Sequence, residues 1–185
     1  MKPSPIDEPF SKAEILRDLE AVRDWSLEFW RQFETARFFS PLDEAWSPAD
    51  NVRHLVKSNR PVALAMGLPR LVLYLRFGIG RRRSRGYSDL RAVYHDALGT
   101  GLTAGRFSAS PVAAEERTAE GQERAIRTLA GTFDALGNAL HRWPENALDR
   151  ARLPHPGLGL LTVREMLFFT LYHNTHHVQG VRRRL

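Results

Sequence analysis

Apolar residues in this chain recur at steps of three and four, and nowhere sustain the step of two that marks a half-buried strand. That periodicity confines the chain to packed helices. Ile15, Leu19, Val22, Phe29 and Phe33 line one face of a first helix. Ser11, with Glu14 three residues on, starts it as a capping box, and Pro41 is expected to close it. Ser47 and Pro48 suit the N-cap and first position of a second helix, with Asp50 adding negative charge at its positive end. Its stripe is Val52, Leu55, Val56, Val62 and Met66. Pro61 is expected to kink it, and Gly67-Leu68-Pro69 to break it before a further piece over 70–77.

Residues 78–110 read differently, as a Gly-, Ser- and Arg-rich crossover holding at most a short helix over 88–98. Pro111 is expected to open a third long helix, with the seam Ile126, Leu129, Phe133, Leu136 and Leu140, closed by Pro144. A Pro/Gly-rich passage over 153–159 follows, expected to be loop. Thr162 and Glu165 then form another capping box, opening a last helix. The pattern predicts an all-α protein: a four-helix bundle with a long crossover between helices 2 and 3. That connection permits the second and third helices to run parallel. Residues 1–185 read as a single domain, with a loose leader over 1–10.

The 185 residues include no cysteine. Disulfides, thiolate metal sites and a thiol nucleophile from this chain are therefore excluded. Hydrophobic residues at 43% and charged residues at 26% fit a globular chain. No apolar run approaches the roughly 20 residues of a membrane span. The N-terminus MKPSPIDEPF has no signal-peptide core. A cytoplasmic protein with no membrane partner is expected. The net charge of +6 permits contact with nucleic acid without establishing it.

Of seven histidines, three fall in one turn: His173, His176 and His177. His173 and His177 are four apart, so a helix sets both imidazoles on one face. They continue the row Met166, Thr170, His173, His177, which follows the inward seam of the last helix. Imidazoles converging in a bundle core form a metal site. Zinc proteases place Glu directly after the first histidine; here Asn174 stands there, which argues against that class. A third ligand must come from elsewhere, and spacing does not select it. His54 lies about 130° from the centre of its helix's apolar stripe at about 100° per residue. Either that helix sits between two seams, or Pro61 distorts the stripe, or His54 is no ligand. His155, between two prolines, reads as a loop histidine; His95 and His141 have no partners in the pattern.

The segments Trp46-Ser47-Pro48-Ala49-Asp50-Asn51-Val52-Arg53-His54-Leu55 and His173-Asn174-Thr175-His176-His177-Val178-Gln179 together resemble the DinB-like superfamily of metal-binding helical bundles. The passage over 155–165 resembles the lead into that family's last helix. The resemblance implies a four-helix fold with a long crossover, a homodimer, and a divalent metal, zinc or nickel, held by three histidines. Those ligands fall on His54, His173 and His177. His176 falls on the family's additional histidine, read as lining the site.

Three neutral imidazoles leave a metal its full charge and an open position. Such an ion lowers the pKa of bound water to about 7 and deprotonates a bound thiol. The function expected is a metal-dependent enzyme on a small-molecule substrate, either transferring an external low-molecular-weight thiol or hydrolysing. His176 is the candidate proton shuttle; Gln179 and Asn174 are candidates for orienting ligands or substrate. The alternatives are a non-catalytic, metal-bound stress-related module and a basic nucleic-acid binder. The last would use Arg81-Arg82-Arg83-Ser84-Arg85, Tyr87 and Arg182-Arg183-Arg184. Those arginines equally suit a solvated loop or the rim of an anion-attracting pocket.

Overall fold

The computed structural model describes residues 4–185. Seven α-helices occur there: α1 (Lys12–Arg31), α2 (Thr35–Phe38), α3 (Pro48–Gly67), α4 (Arg70–Phe77), α5 (Tyr87–Gly99), α6 (Ala119–His141) and α7 (Val163–Arg182). Each long helix begins where a side chain satisfies its free N–H groups. Ser11 and Glu14, Ser47 and Asp50, and Thr162 and Glu165 all form complete capping boxes. Pro61 lies inside α3 without ending it.

The long helices α1, α3, α6 and α7 make a four-helix bundle. Around its axis the order is α1, α6, α3, α7. Three contacts fix the direction of α3 against α6. Arg53 pairs with Glu116 just before α6, Asn59 donates to Thr132 midway, and the Trp143 indole just after α6 donates to the Met66 carbonyl. The two helices therefore run parallel, as the crossover permits. Against α6, α1 runs the other way, since Arg23 meets Asp134 while Lys12 reaches the carbonyls of His141 and Trp143. The bundle interior is largely apolar, with Trp30, Leu55, Leu129, Phe168 and Leu171 fully buried, and its buried polar groups include the Asn59–Thr132 pair between α3 and α6.

Three expectations need correction. The first helix ends at Arg31, and α2 intervenes before Pro41. Phe33 lies beyond the helix end yet packs edge-on against Phe29, ring centroids 5.3 Å apart, so the apolar spacing outlasts the helix. The third long helix starts at Ala119, not Pro111, because Thr118 accepts from the Gly121 amide. Residues 111–117 instead fold back over that end. A Cβ on Gly121 would meet the Glu116 carbonyl at 1.9 Å. The passage over 153–159 is not all loop. Arg152–His155 (β1) and Gly159–Thr162 (β2) form an antiparallel hairpin with Leu153 opposite Leu161. Pro154 is tolerated because a two-stranded ribbon leaves both strands at an edge, and Gly159 supplies the positive φ of 74°.

Residues 4–10 form neither helix nor strand, and the leader's residues 1–3 lie outside the described residues. Pro9 is buried, and the Phe10 ring stands 6.2 Å from that of Phe168 with the Arg164 guanidinium 4.6 Å above it. Among the described residues, no helix is long and apolar enough to cross a membrane.

Candidate metal centre

The helix α3 borders both α6 and α7, so it carries a wide buried arc. Val52 and Leu55 are buried in the apolar core, while His54 and Asn51 meet side chains of α7. This accounts for the His54 angle: the helix sits between two seams, and His54 is only 4% exposed. Antiparallel α7 presents His173, 3% exposed, and the half-buried His177 to the same point. Donor atoms of the three imidazoles lie within 4.8 Å of one another. Nε2 of His173 is 3.0 Å from Nε2 of His54 and 3.1 Å from Nε2 of His177.

The protons cannot satisfy that arrangement. Nδ1 of His54 lies 2.8 Å from the Phe107 carbonyl, which only accepts, so Nδ1 carries the hydrogen. Nδ1 of His177 lies 2.6 Å from Oδ1 of Asn51. The Asn51 amide is oriented by Nδ2 donating to the Ser47 carbonyl at 2.9 Å, so Oδ1 accepts and Nδ1 of His177 donates. Neutral His54 and His177 thus both direct bare Nε2 lone pairs at His173. His173 can answer at most one of them, and its buried Nδ1 has no hydrogen-bond partner. Two or three converging lone pairs fit a cation. The Nε2 spacings approach the roughly 3.3 Å between ligand nitrogens of a tetrahedral zinc with bonds near 2.0–2.1 Å.

Burial pushes the pKa of His54 down, helped by the Lys57 charge, and those of His173 and His177 well down, with neighbouring imidazoles adding to the effect on these two. All three are neutral near pH 7, the state in which imidazole binds metal. Flanking rings hold them in place. Phe169 stacks on His173 at 4.9 Å and 20°, and Trp46 stacks on His177 at 6.3 Å and 14°.

The cluster opens on a cavity of about 440 Å³ between α3, α5, α7, the hairpin and the end of the crossover. Val62, Leu102, Leu153 and Met166 line it, and among the described residues its wall contains no carboxylate. Among the described residues Arg106 is the cation on that wall; Arg81–Arg85 and Arg182–Arg184 are outside it. Arg85 instead pairs with Glu165 at 2.8 Å, and Arg83 lies 4.8 Å over the Phe10 ring.

His176 lines the cavity, with Nδ1 3.3 Å from the Tyr172 hydroxyl, and burial lowers its pKa. That hydroxyl also lies 2.5 Å from Nε2 of His95. Gln179 is half-buried and outside the lining. Asn174 faces away from the histidines, donating from Nδ2 to Asn59 at 3.2 Å and to the Thr170 carbonyl at 2.8 Å.

Besides Arg106 and the Phe107 carbonyl, sequence reasoning missed two contributors. His155 is a wall residue with its pKa pushed down to about 4 by burial; its Nδ1 accepts from the Gly157 and Leu158 amides, which leaves Nε2 as donor. Asn51 is the other, and its signal was present: it precedes His54 by three, one helical turn away.

In shape, the chain is similar to YfiT from Bacillus subtilis, described as a probable metal-dependent hydrolase with an unusual four-helix bundle topology. The TM-score is 0.63 over 100% of this chain and 91% of that one, at 16% identity. TT2238, described as a four-helix bundle protein, gives a TM-score of 0.49 at 21% identity, over 94% of this chain and 99% of that one. No curated protein matches the sequence. The sequence pattern of the DinB superfamily matches residues 38–180, a span that includes all three converging histidines, and the chain belongs to that superfamily.

Proposed function

We propose that this protein is a metal-dependent enzyme that holds one divalent cation, zinc or nickel, through His54, His173 and His177, and acts on a small, largely apolar molecule in the adjoining cavity. One observation carries the reading: more imidazole lone pairs than the protein's own protons can satisfy converge at the floor of an apolar cavity. A divalent ion bound there supplies Lewis acidity, lowering the pKa of a coordinated water or thiol toward neutrality.

The chain's own residues do the rest. The Phe107 carbonyl and Asn51 hold the rings of His54 and His177 in one tautomer. The apolar walls exclude bulk water and so strengthen every charge interaction inside. Arg106 offers an anionic substrate end a charge-assisted hydrogen bond, and His155 offers a neutral N–H. His176, beside His177 on the wall, is the group proposed to pass a proton.

Hydrolysis is the first reading, being the activity ascribed to YfiT, whose fold this chain shares. S-transfer from an external low-molecular-weight thiol is the second. With no carboxylate base among the described wall residues, either nucleophile, water or thiol, would owe its deprotonation to the metal. The site draws on α3, α7 and the crossover, which supports reading 1–185 as one domain. The family resemblance supports a homodimer, to be checked by light scattering.

Elemental analysis of untagged protein is expected to give one divalent ion per chain. His173→Ala and His177→Ala should each lose most of it; full retention in both rejects the ligand set. Turnover of activated esters, or of thiols with electrophiles, should require that metal. A loaded protein inert to both panels is the outcome expected of a binding module.

A further inference from the structure

The helix α4 leaves an apolar face uncovered. Among the described residues, six of the eight exposed large hydrophobic ones fall within 64–79: Leu64, Leu68, Leu71, Val72, Leu75 and Ile79. Leu75 is 81% exposed and Leu71 65%. Leu71, Val72 and Leu75 share one side of α4 by helical spacing. Apolar side chains clustered this way mark an interaction site.

The charge around that face is one-sided. Residues 51–88 contain nine Lys or Arg and no Asp or Glu. The rest of the chain holds 18 basic and 21 acidic residues and is therefore net −3. Arg60, Arg70, Arg76, Arg81 and Arg82 are exposed, and among the described residues none of the five meets a carboxylate at ion-pair distance.

We propose that this face docks the protein on an anionic lipid surface, with the leucines entering the headgroup boundary and the arginines meeting lipid phosphates. An apolar face whose own segment carries cations and no acid is complementary to such a surface. A second copy is a poorer occupant: a two-fold pairing would oppose the same arginines with no acid from this segment to neutralise them. Nucleic acid is poorer too, because leucines dominate the face. No span is needed, so the lack of an apolar run in the sequence does not bear on it. The face also adjoins the cavity. Pro61, Ala65 and Phe77 line the cavity, next in sequence to exposed Leu64 and close to exposed Ile79. An apolar substrate dissolved in the membrane would meet the protein on this side.

Flotation of the full chain with vesicles tests the proposal. Binding to vesicles containing phosphatidylglycerol is expected, with little to pure phosphatidylcholine, and it should fall as salt rises. Leu71→Ser with Leu75→Ser should weaken binding about tenfold or more, and so should Arg70→Glu with Arg76→Glu. All four positions are exposed, and unchanged circular dichroism and metal content would show that the fold persists. Failure of the wild type to float with anionic vesicles overturns the proposal, as does undiminished binding by both variants. A leucine variant that turns a dimer into a monomer while still floating assigns the face to a second copy and also overturns it.

Discussion

At the residue scale, the site depends on groups that touch no metal. The Asn51 amide bonds the Ser47 carbonyl with one end and Nδ1 of His177 with the other, so the start of α3 orients a ring on α7. Asn51→Ala removes the acceptor and frees His177 to change tautomer. The metal dissociation constant is expected to rise about 10- to 100-fold. Asn51→Asp keeps the acceptor for His177 but loses the donor to the Ser47 carbonyl, so it should fall between wild type and Asn51→Ala. Chelator competition measures the affinity, and nitrogen NMR of the His177 ring reads the tautomer directly. An unchanged constant in Asn51→Ala removes Asn51 from the site. The sequence showed only part of this. His173 and His177 are legible because both lie on one helix and spacing fixes their common face. His54 was placed by family resemblance, since its helix faces two neighbours and a single stripe misjudges the buried arc. The Phe107 carbonyl was invisible, because a backbone acceptor from a crossover leaves no residue-type signature.

Among elements, what could be read from the sequence followed from local chemistry. The capping boxes at Ser11 and Thr162 and the N-cap at Ser47 stand as expected because they use only side chains within three residues; Asp50, expected only as a favourable charge, also closes a box with Ser47. The hairpin escaped because each strand has four residues, too few for a period of two to emerge, and Pro154, Gly157 and Gly159 read as loop. Glu165 illustrates how an element end acquires a second duty. It caps α7 by accepting from the Thr162 amide at 3.0 Å, and it holds the crossover through the backbone and side chain of Arg85. Burial works to raise its pKa, and the bonds to Arg85 and Thr162 overcome this, so the net shift is downward from 4.5. A carboxylate with a lowered folded pKa stabilises fully above its unfolded value and loses that contribution as pH falls through the folded one. Glu165→Gln should therefore cost about 2 kcal/mol near pH 7 and progressively less below pH 4.5. Denaturant melts of both proteins across that range check it; a pH-independent difference would mean that the charge is not what matters.

Over the whole molecule, two parallel neighbours, α3 and α6, force a connection that must travel the length of the bundle, and residues 68–118 supply it. That long path also supplies the cavity roof, including Leu102 and Arg106, and the Phe107 carbonyl that orients His54. The site therefore exists only when segments some 120 residues apart in sequence are folded together, since 54 and 173 meet at 3.0 Å. An unfolded chain keeps histidines but not their convergence, so a cation should bind the native state far better. Binding then adds stability as the logarithm of free metal over its dissociation constant, about 2.7 kcal/mol at a hundredfold excess. For a domain of this size that is a rise in Tm of about 5–10 °C. Differential scanning calorimetry with stepped zinc should show the rise grow with concentration, and a chelator should abolish it. His54→Ala with His173→Ala should melt at a metal-independent temperature. If that double variant shows the wild-type rise, the stabilising ion sits elsewhere and the three-imidazole centre is not where metal binding and folding are coupled.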